Sequence, residues 1–241
     1  MSCLEDLELY DNQITVIENL DKLPKLKILD LSYNLIKKIE NLDNLSNLHT
    51  IYLVENRLKK LENLNKLNNL YELDCGSNKI SVIENIDHMA SSLVKLSLAK
   101  NKIREISGLN NLTNLTFLTL QSNRLTKINN LEYLVNLKEL YLSQNFIEKI
   151  ENLEKLNKLI ILDIAYNKIN KLENLDNKPY LEDLWLNNNE IKNFGDMIEL
   201  KKVSTLTCIY LWKNPVADFP SYKQTVKDYC PNISQIDSTF L

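Results

Sequence analysis

An asparagine returns along this 241-residue chain at Asn12, Asn34, Asn56, Asn78, Asn101, Asn123, Asn145, Asn167, Asn189 and Asn214. The steps between them are 22, 22, 22, 23, 22, 22, 22, 22 and 25 residues. Around each marker the frame reads L-x-x-L-x-L-x-x-N-x-I/L-x-x-I/L, with small substitutions. A unit this short cannot bury its own apolar face, so each copy needs its neighbours. The chain is thereby restricted to a stack of like units around one continuous interior.

The stretch Leu26 to Asn47, LKILDLSYNLIKKIENLDNLSN, shows how one unit works. Leu29 and Leu31 are two apart, so on a strand they face the same side, inward. Asp30 and Ser32 then face outward. Asn34 ends the strand, where its amide can pair turn backbone groups that would otherwise be buried without partners. Stacked markers predict an asparagine ladder. Ile36, Ile39, Leu42 and Leu45 fill the interior from the returning segment. There IENL or a close variant recurs, for example at Ile17–Leu20, Ile39–Leu42 and Ile150–Leu153, with ISGL at Ile106–Leu109 and INNL at Ile128–Leu131. These segments predict one short 3₁₀ or helical turn per unit, because they are too short to nucleate a stable α-helix alone. Their Glu and Asn residues read as turn caps. The period is the signature of a leucine-rich repeat. The expected fold is an α/β solenoid: a horseshoe of ten 22-residue repeats with a parallel concave sheet and short convex turns.

Two units are longer, at DHMASSL (Asp87 to Leu93) and NFGDMIELKKVSTL (Asn193 to Leu206), and predict local bulges. The repeat is lost after Asn214. Tyr222, Val226 and Tyr229 then take helical spacing, with Pro231 just beyond. This predicts a division into a solenoid over residues 1–214 and a C-terminal cap over residues 215–241. At the other end the repeats start at Leu4. Its edge strand is expected to be shielded by Glu5, Asp6, Glu8 and Asp11, or covered by further chain or a partner.

The net charge of -3 and pI of about 5.6 argue against nucleic acid or an anionic membrane as the main partner. No basic-then-apolar leader and no apolar run of about 20 residues is visible. Cys3, Cys75, Cys208 and Cys230 fit no CxxC pair or disulfide framework, so free thiols are expected, with Cys75 in an aliphatic core position. His49 and His88 lie off the outward strand positions. No HExxH, glycine-rich phosphate loop or nucleophile–base pattern occurs. The expectation is a non-enzyme with no cofactor and no metal.

Function should lie in the outward strand positions, which packing leaves free. Four residues before each marker stand Glu8, Asp30, Tyr52, Asp74, Ser97, Thr119, Tyr141, Asp163, Trp185 and Tyr210. Six before are residues such as Glu72, Phe117, Glu139 and Asp183; two before are Tyr10, Trp212 and several small residues. Trp185, Tyr210 and Trp212, with Asp163 and Asp183 beside them, have the composition of a protein-binding hot spot facing a basic partner surface.

The 22-residue unit with IENL after the asparagine turn resembles the leucine-rich-repeat regulatory subunits of protein phosphatase 1, the regulatory subunit 7 family. The tail NPVADFPSYKQTVKDYCPNISQID is similar to that family's cap, which a spliceosomal leucine-rich protein and a ciliary dynein light chain share. The resemblance implies a non-catalytic subunit of nucleus and cytoplasm. It would bind the phosphatase catalytic subunit through the concave face, alongside a further phosphatase inhibitor protein. The matching positions are Asp30, Tyr52, Asp74, Asp163, Trp185 and Tyr210, with Asp183 beside them. Ser97 departs from the pattern, where an aromatic is expected. The alternative is a scaffold of a ciliary or spliceosomal complex.

Overall fold

Alternation of apolar and polar residues makes each strand one-sided. Leu29 and Leu31 are buried while Ile28 and Asp30 are half-buried on the other face. In the computed structural model, which describes residues 3–241, the strands are β1 (Asp6–Glu8), β2 (Ile28–Asp30), β3 (Thr50–Tyr52), β4 (Glu72–Asp74) and β5 (Lys95–Ser97). They continue as β6 (Phe117–Thr119), β7 (Glu139–Tyr141), β8 (Ile161–Asp163), β9 (Asp183–Trp185) and β10 (Cys208–Tyr210). All lie in one sheet in chain order, each parallel to the next. The inward residues form one core running from Ile17 to Ile236, with Cys75 fully buried in its aliphatic place. Each buried Leu or Ile contributes about 1.5–3 kcal/mol relative to exposure.

The markers bond across units. Asn34 Nδ2 donates to the carbonyls of Leu31 (3.1 Å) and Ser32 (3.1 Å) in its own turn and of Leu9 (2.9 Å) in the unit before. Its Oδ1 accepts from Ile14 N at 2.9 Å. The link to the preceding unit's amide recurs at every marker from Asn34 to Asn214. The expected ladder therefore runs from side chain to backbone, not from asparagine to asparagine. Backbone amides are the buried groups in need of partners, and the side chain reaches them directly. Among the described residues, the Asn12 side chain bonds only within its own turn, to Leu9 and Tyr10 carbonyls.

A second ladder lies on the convex side. Asn41, in IENL, has φ 61° and donates to Ile17 O at 2.6 Å. Asparagine tolerates this left-handed backbone, which most residues avoid. In ISGL, Gly108 takes the place with φ 65°, where a Cβ would stand 2.5 Å from Ile83 O. Asparagines fill most of the left-handed convex turns, and the residue before each marker, such as Tyr33, Glu55 or Ser77, is left-handed without being glycine, so few glycines are needed. The convex segments close by successive i→i+3 bonds, Leu45 N to Leu42 O and Leu48 N to Leu45 O, which is the 3₁₀ pattern. The two longer units extend it into 3₁₀ helices at Asp87–Met89 and Phe194–Lys202.

One departure escapes the sequence reading. Lys178 occupies the core position that Leu134 and Leu156 fill in earlier units, and it is 2% exposed. Its Nζ donates to Asp176 O at 2.9 Å, and burial holds its pKa below the usual lysine range.

The sheet also continues past the tenth repeat, where the sequence reading ended it. β11 (Gln235–Ile236) pairs parallel with β10, and β12 (Thr239–Phe240) returns antiparallel. Helix α1 (Tyr222–Tyr229) buries Tyr222 and Val226 as their spacing predicts. Asp237 closes the end. Its Oδ1 accepts from Leu211 N (2.8 Å) and Trp212 N (2.9 Å), and its Oδ2 from Tyr222 Oη (3.0 Å). In the preceding unit the equivalent amide, Leu186 N, bonds the Tyr210 carbonyl of the next strand. Just past β11, a side-chain carboxylate thus takes the place of the next strand's backbone carbonyl.

Candidate protein-binding surface

The third residue of each strand from β1 to β10 forms a single column. The registers Glu8 to Asp30, Asp30 to Tyr52, Tyr52 to Asp74 and onward to Asp163, Trp185 and Tyr210 run unbroken along the concave face. The first residues of the same strands, including Glu72, Phe117, Glu139 and Asp183, form the column beside it.

The predicted residues fall into two groups. Asp30, Tyr52 and Asp74 are neighbours on β2 to β4. Each aspartate accepts the amide two residues on, Ser32 N or Gly76 N, at 2.8 Å. These carboxylates therefore shape the strand ends as well as facing the concavity. Burial raises the Asp74 pKa, and the Asp30 charge adds to this, while the Gly76 amide and Ser97 oppose it. Burial likewise raises the Tyr52 hydroxyl, reinforced by Glu72, Asp74 and Asp30. Ser97 and the buried Thr119 separate this group from the second.

The second group, on β8 to β10, is aromatic and close-packed. Trp185 and Tyr210 meet edge to face, with centroids 6.2 Å apart and planes at 84°. Gln235 Nε2 of β11 donates to the Tyr210 hydroxyl. Asp183 stands half-buried in the adjoining column, its pKa raised by burial and then by Glu182. The indole N–H of Trp185 is buried without a hydrogen-bond partner.

Asp163 is not presented to solvent as its outward position predicts. It is 3% exposed, its Oδ1 accepting from Ala165 N (3.0 Å) and its Oδ2 from Gln121 Nε2 (2.9 Å). The neighbours in its column are large rings, Tyr141 and Trp185, whose centroids come within 6.2 Å across it. A short carboxylate between two such rings is covered by them.

Tyr141 is the residue the sequence reading left out of the site. Its ring lies 5.5 Å from Phe117, and its hydroxyl donates to Glu139 at 2.9 Å. Burial, then this bond, pushes its pKa up. The signal was its place in the column two units before Trp185. Clustering by adjacent strands hid it, because ring contact skips over Asp163. The result is an aromatic ridge, Phe117–Tyr141–Trp185–Tyr210, across β6 to β10. At about 4.8 Å per strand it is about 19 Å long, with Glu139 and Asp183 along one side.

Such a surface can bind, by stacking and desolvating against a partner, with carboxylates to receive cations. His49 stacks on Tyr71 at 4.8 Å and His88 meets Leu64 O at 2.9 Å, so neither faces the concavity. The Cys208 thiol is pushed up to about 11, by burial first and then by Asp183. Among the described residues, no group of three His, Cys, Asp or Glu side chains is placed to hold a metal, and no helix is long and apolar enough to cross a membrane.

No curated protein sequence matches this chain significantly. Among solved structures it is similar to a leucine-rich-repeat protein of Leptospira interrogans, with 26% identity and a TM-score of 0.87 over 97% of this chain and 60% of that one. Internalin C2 of Listeria monocytogenes is 26% identical, with a TM-score of 0.71 over 80% of this chain and 84% of that one. The functional domain of InlJ from the same organism, at 21% identity and a TM-score of 0.79, shares the fold over 98% of this chain and 53% of its own. The chain thus spans about three fifths of the Leptospira structure and about half of the InlJ domain. A family model described as leucine-rich repeat matches residues 68–164 and 136–239, and one for leucine-rich repeats in two copies matches residues 4–44. With its sheet, its asparagine ladder and these matches, the chain belongs to the leucine-rich-repeat family, whose solenoid serves generically as a scaffold for protein–protein contacts.

Proposed function

We propose that this protein is a regulatory subunit that binds the catalytic subunit of protein phosphatase 1 through its concave face. The observation that carries the reading is the aromatic ridge on β6 to β10, flanked by Glu139 and Asp183; of these residues Trp185, Tyr210 and Asp183 stand at positions where the regulatory subunit 7 resemblance expects contact. The match of IENL units and tail to that family supports it. Trp185 and Tyr210 are the central anchors, and Asp183 receives a cation from the partner. Asp163 positions the two rings that cover it. Asp30, Tyr52 and Asp74 form a second, more polar contact. Nuclear and cytoplasmic residence, a further phosphatase inhibitor protein in the assembly, and the division into a solenoid over residues 1–214 and a cap over residues 215–241 belong to the same reading.

Binding to the purified catalytic subunit by isothermal titration calorimetry tests it. Trp185→Ala and Tyr210→Ala should each cost about 2 kcal/mol, about thirtyfold in affinity. Undiminished binding by a folded double variant removes this site. If the unaltered protein fails to bind, and native cells yield it with a motor or RNA-associated protein, the scaffold alternative replaces the phosphatase reading.

A further inference from the structure

The side of the solenoid that follows the concave strands carries a charge asymmetry unrelated to the concave face. In five successive units, residues 35–38, 57–60, 79–82, 102–105 and 124–127 hold ten lysines and arginines and one acid, Glu105, in a chain whose net charge is -3. All ten cations are exposed. Among the described residues, only Lys38 has a carboxylate within ion-pair distance, Glu40 at 3.5 Å. Elsewhere in the chain, by contrast, Lys27, Lys171 and Lys202 all find carboxylates.

Backbone bonds hold these cations in line. Arg57 N donates to Ile36 O, Lys79 N to Leu58 O, Lys102 N to Ile80 O and Arg124 N to Ile103 O, each at 2.8 Å. Arg57, Lys79, Lys102 and Arg124 therefore take the same place in four consecutive units, about one strand spacing apart. Like charges at that separation repel. Packing does not ask for them, because Leu35, Phe146 and Glu190 fill the same place in other units. Two shallow grooves open along the line, one walled by Lys59, Lys60, Lys79 and Lys102 with Glu84 at its border, the other by Arg104, Arg124, Thr126 and Phe146.

We propose that this flank is a second docking surface, separate from the concave face, for an extended acidic segment of a partner protein. The band is narrow and bordered on its convex side by Glu40, Glu62 and Glu84. A single line of carboxylates fits within that border. A membrane plane or a nucleic-acid duplex spreads its phosphates over the border as well. The twenty residues contain no aromatic, and the groove's one ring, Phe146, already carries Lys168 Nζ over its face at 5.7 Å, whereas single-stranded nucleic acid is held by stacking of successive bases.

Fluorescence anisotropy of a fluorescein-labelled oligoglutamate peptide, titrated with the full chain, tests this. Oligouridylate of equal length and phosphatidylserine vesicles serve as comparators. The peptide should bind, and binding should weaken as salt is raised. Combined Arg57→Glu, Lys79→Glu, Lys102→Glu and Arg124→Glu should weaken it about tenfold or more, from four exposed pairs acting together. The corresponding glutamine variant keeps the test valid if the reversed protein fails to fold. Trp185→Ala should leave peptide binding unchanged, so the result is independent of the concave site. The proposal is overturned if the peptide does not bind at low salt, if the folded charge variants bind it equally well, or if the oligonucleotide or the vesicles bind more tightly.

Discussion

The two ends of the solenoid are built on different principles. Among the described residues, β1 pairs only with β2 and stands at the open edge of the sheet. Leu4, Tyr10 and Val16 are exposed, and among the described residues the Asn12 side chain bonds only within its own turn. The expected shield of four acids is partly spent, since Glu5 pairs with Lys27 at 2.7 Å. At β10 the repeat is closed by residues that belong to no repeat: helix α1, the β11–β12 hairpin and the buried Asp237. The aromatic ridge lies toward this closed end, where Gln235 of β11 steadies Tyr210. A repeating frame extends itself without limit, so both a firm end and a distinctive surface require departures from it.

The sharpest way to break this contrast is Asp237→Ala. It leaves the Leu211 and Trp212 amides and the Tyr222 hydroxyl without their acceptor. A loss of about 3–5 kcal/mol is expected in chemical denaturation, with the last units opening first by hydrogen exchange.

Asn123→Ala tests the frame itself. It removes bonds to Leu98, Leu120 and Gln121 carbonyls and orphans Ile103 N, which should cost about 2–3 kcal/mol. The same change at exposed Asn12 should cost about 0.5 kcal/mol or less. Equal losses at the two sites would show that the ladder to the preceding unit does not matter.

Lys178→Met should stabilise the protein by about 1–2 kcal/mol, since methionine fills the leucine row without a charge. The folded-state pKa of Lys178 lies below its unfolded value, so the charge is disfavoured in the fold at neutral pH. Stability of the unaltered protein should rise as pH rises through that folded-state pKa, and the advantage of methionine should shrink in the same range.

The smallest effect on stability is expected for Asp183→Asn. Burial raises this carboxyl's pKa, so its ionisation at neutral pH opposes folding, and asparagine should gain about a few tenths of a kcal/mol after solvent screening. Partner binding should move the opposite way. A cation stabilises the ionised form and lowers its pKa in the complex, so affinity should fall as pH drops through the raised pKa of the free protein. Calorimetric titrations across mildly acidic pH should show this slope in the unaltered protein and lose part of it in Asp183→Asn.

The spacing of the asparagines and leucines determined the solenoid, the inward and outward faces and the concave column, and that of Tyr222, Val226 and Tyr229 the C-terminal helix. Each depends on local periodicity, and a strand that exposes every second residue leaves little else to decide. Contact between units was not legible. Asp163 stands outward by its position, yet only the meeting of the Tyr141 and Trp185 rings across it makes it buried. Tyr141 joins the ridge for the same reason, by reaching past a neighbour. Asp237 becomes the closing residue because the β11–β12 turn brings a carboxylate to amides 25 and 26 residues away in sequence. Lys178 looks like an ordinary surface lysine until its unit places it in the leucine row. Periodicity sets where a backbone goes; side-chain size and reach across strands, which belong to the assembled structure, set which groups water can still find.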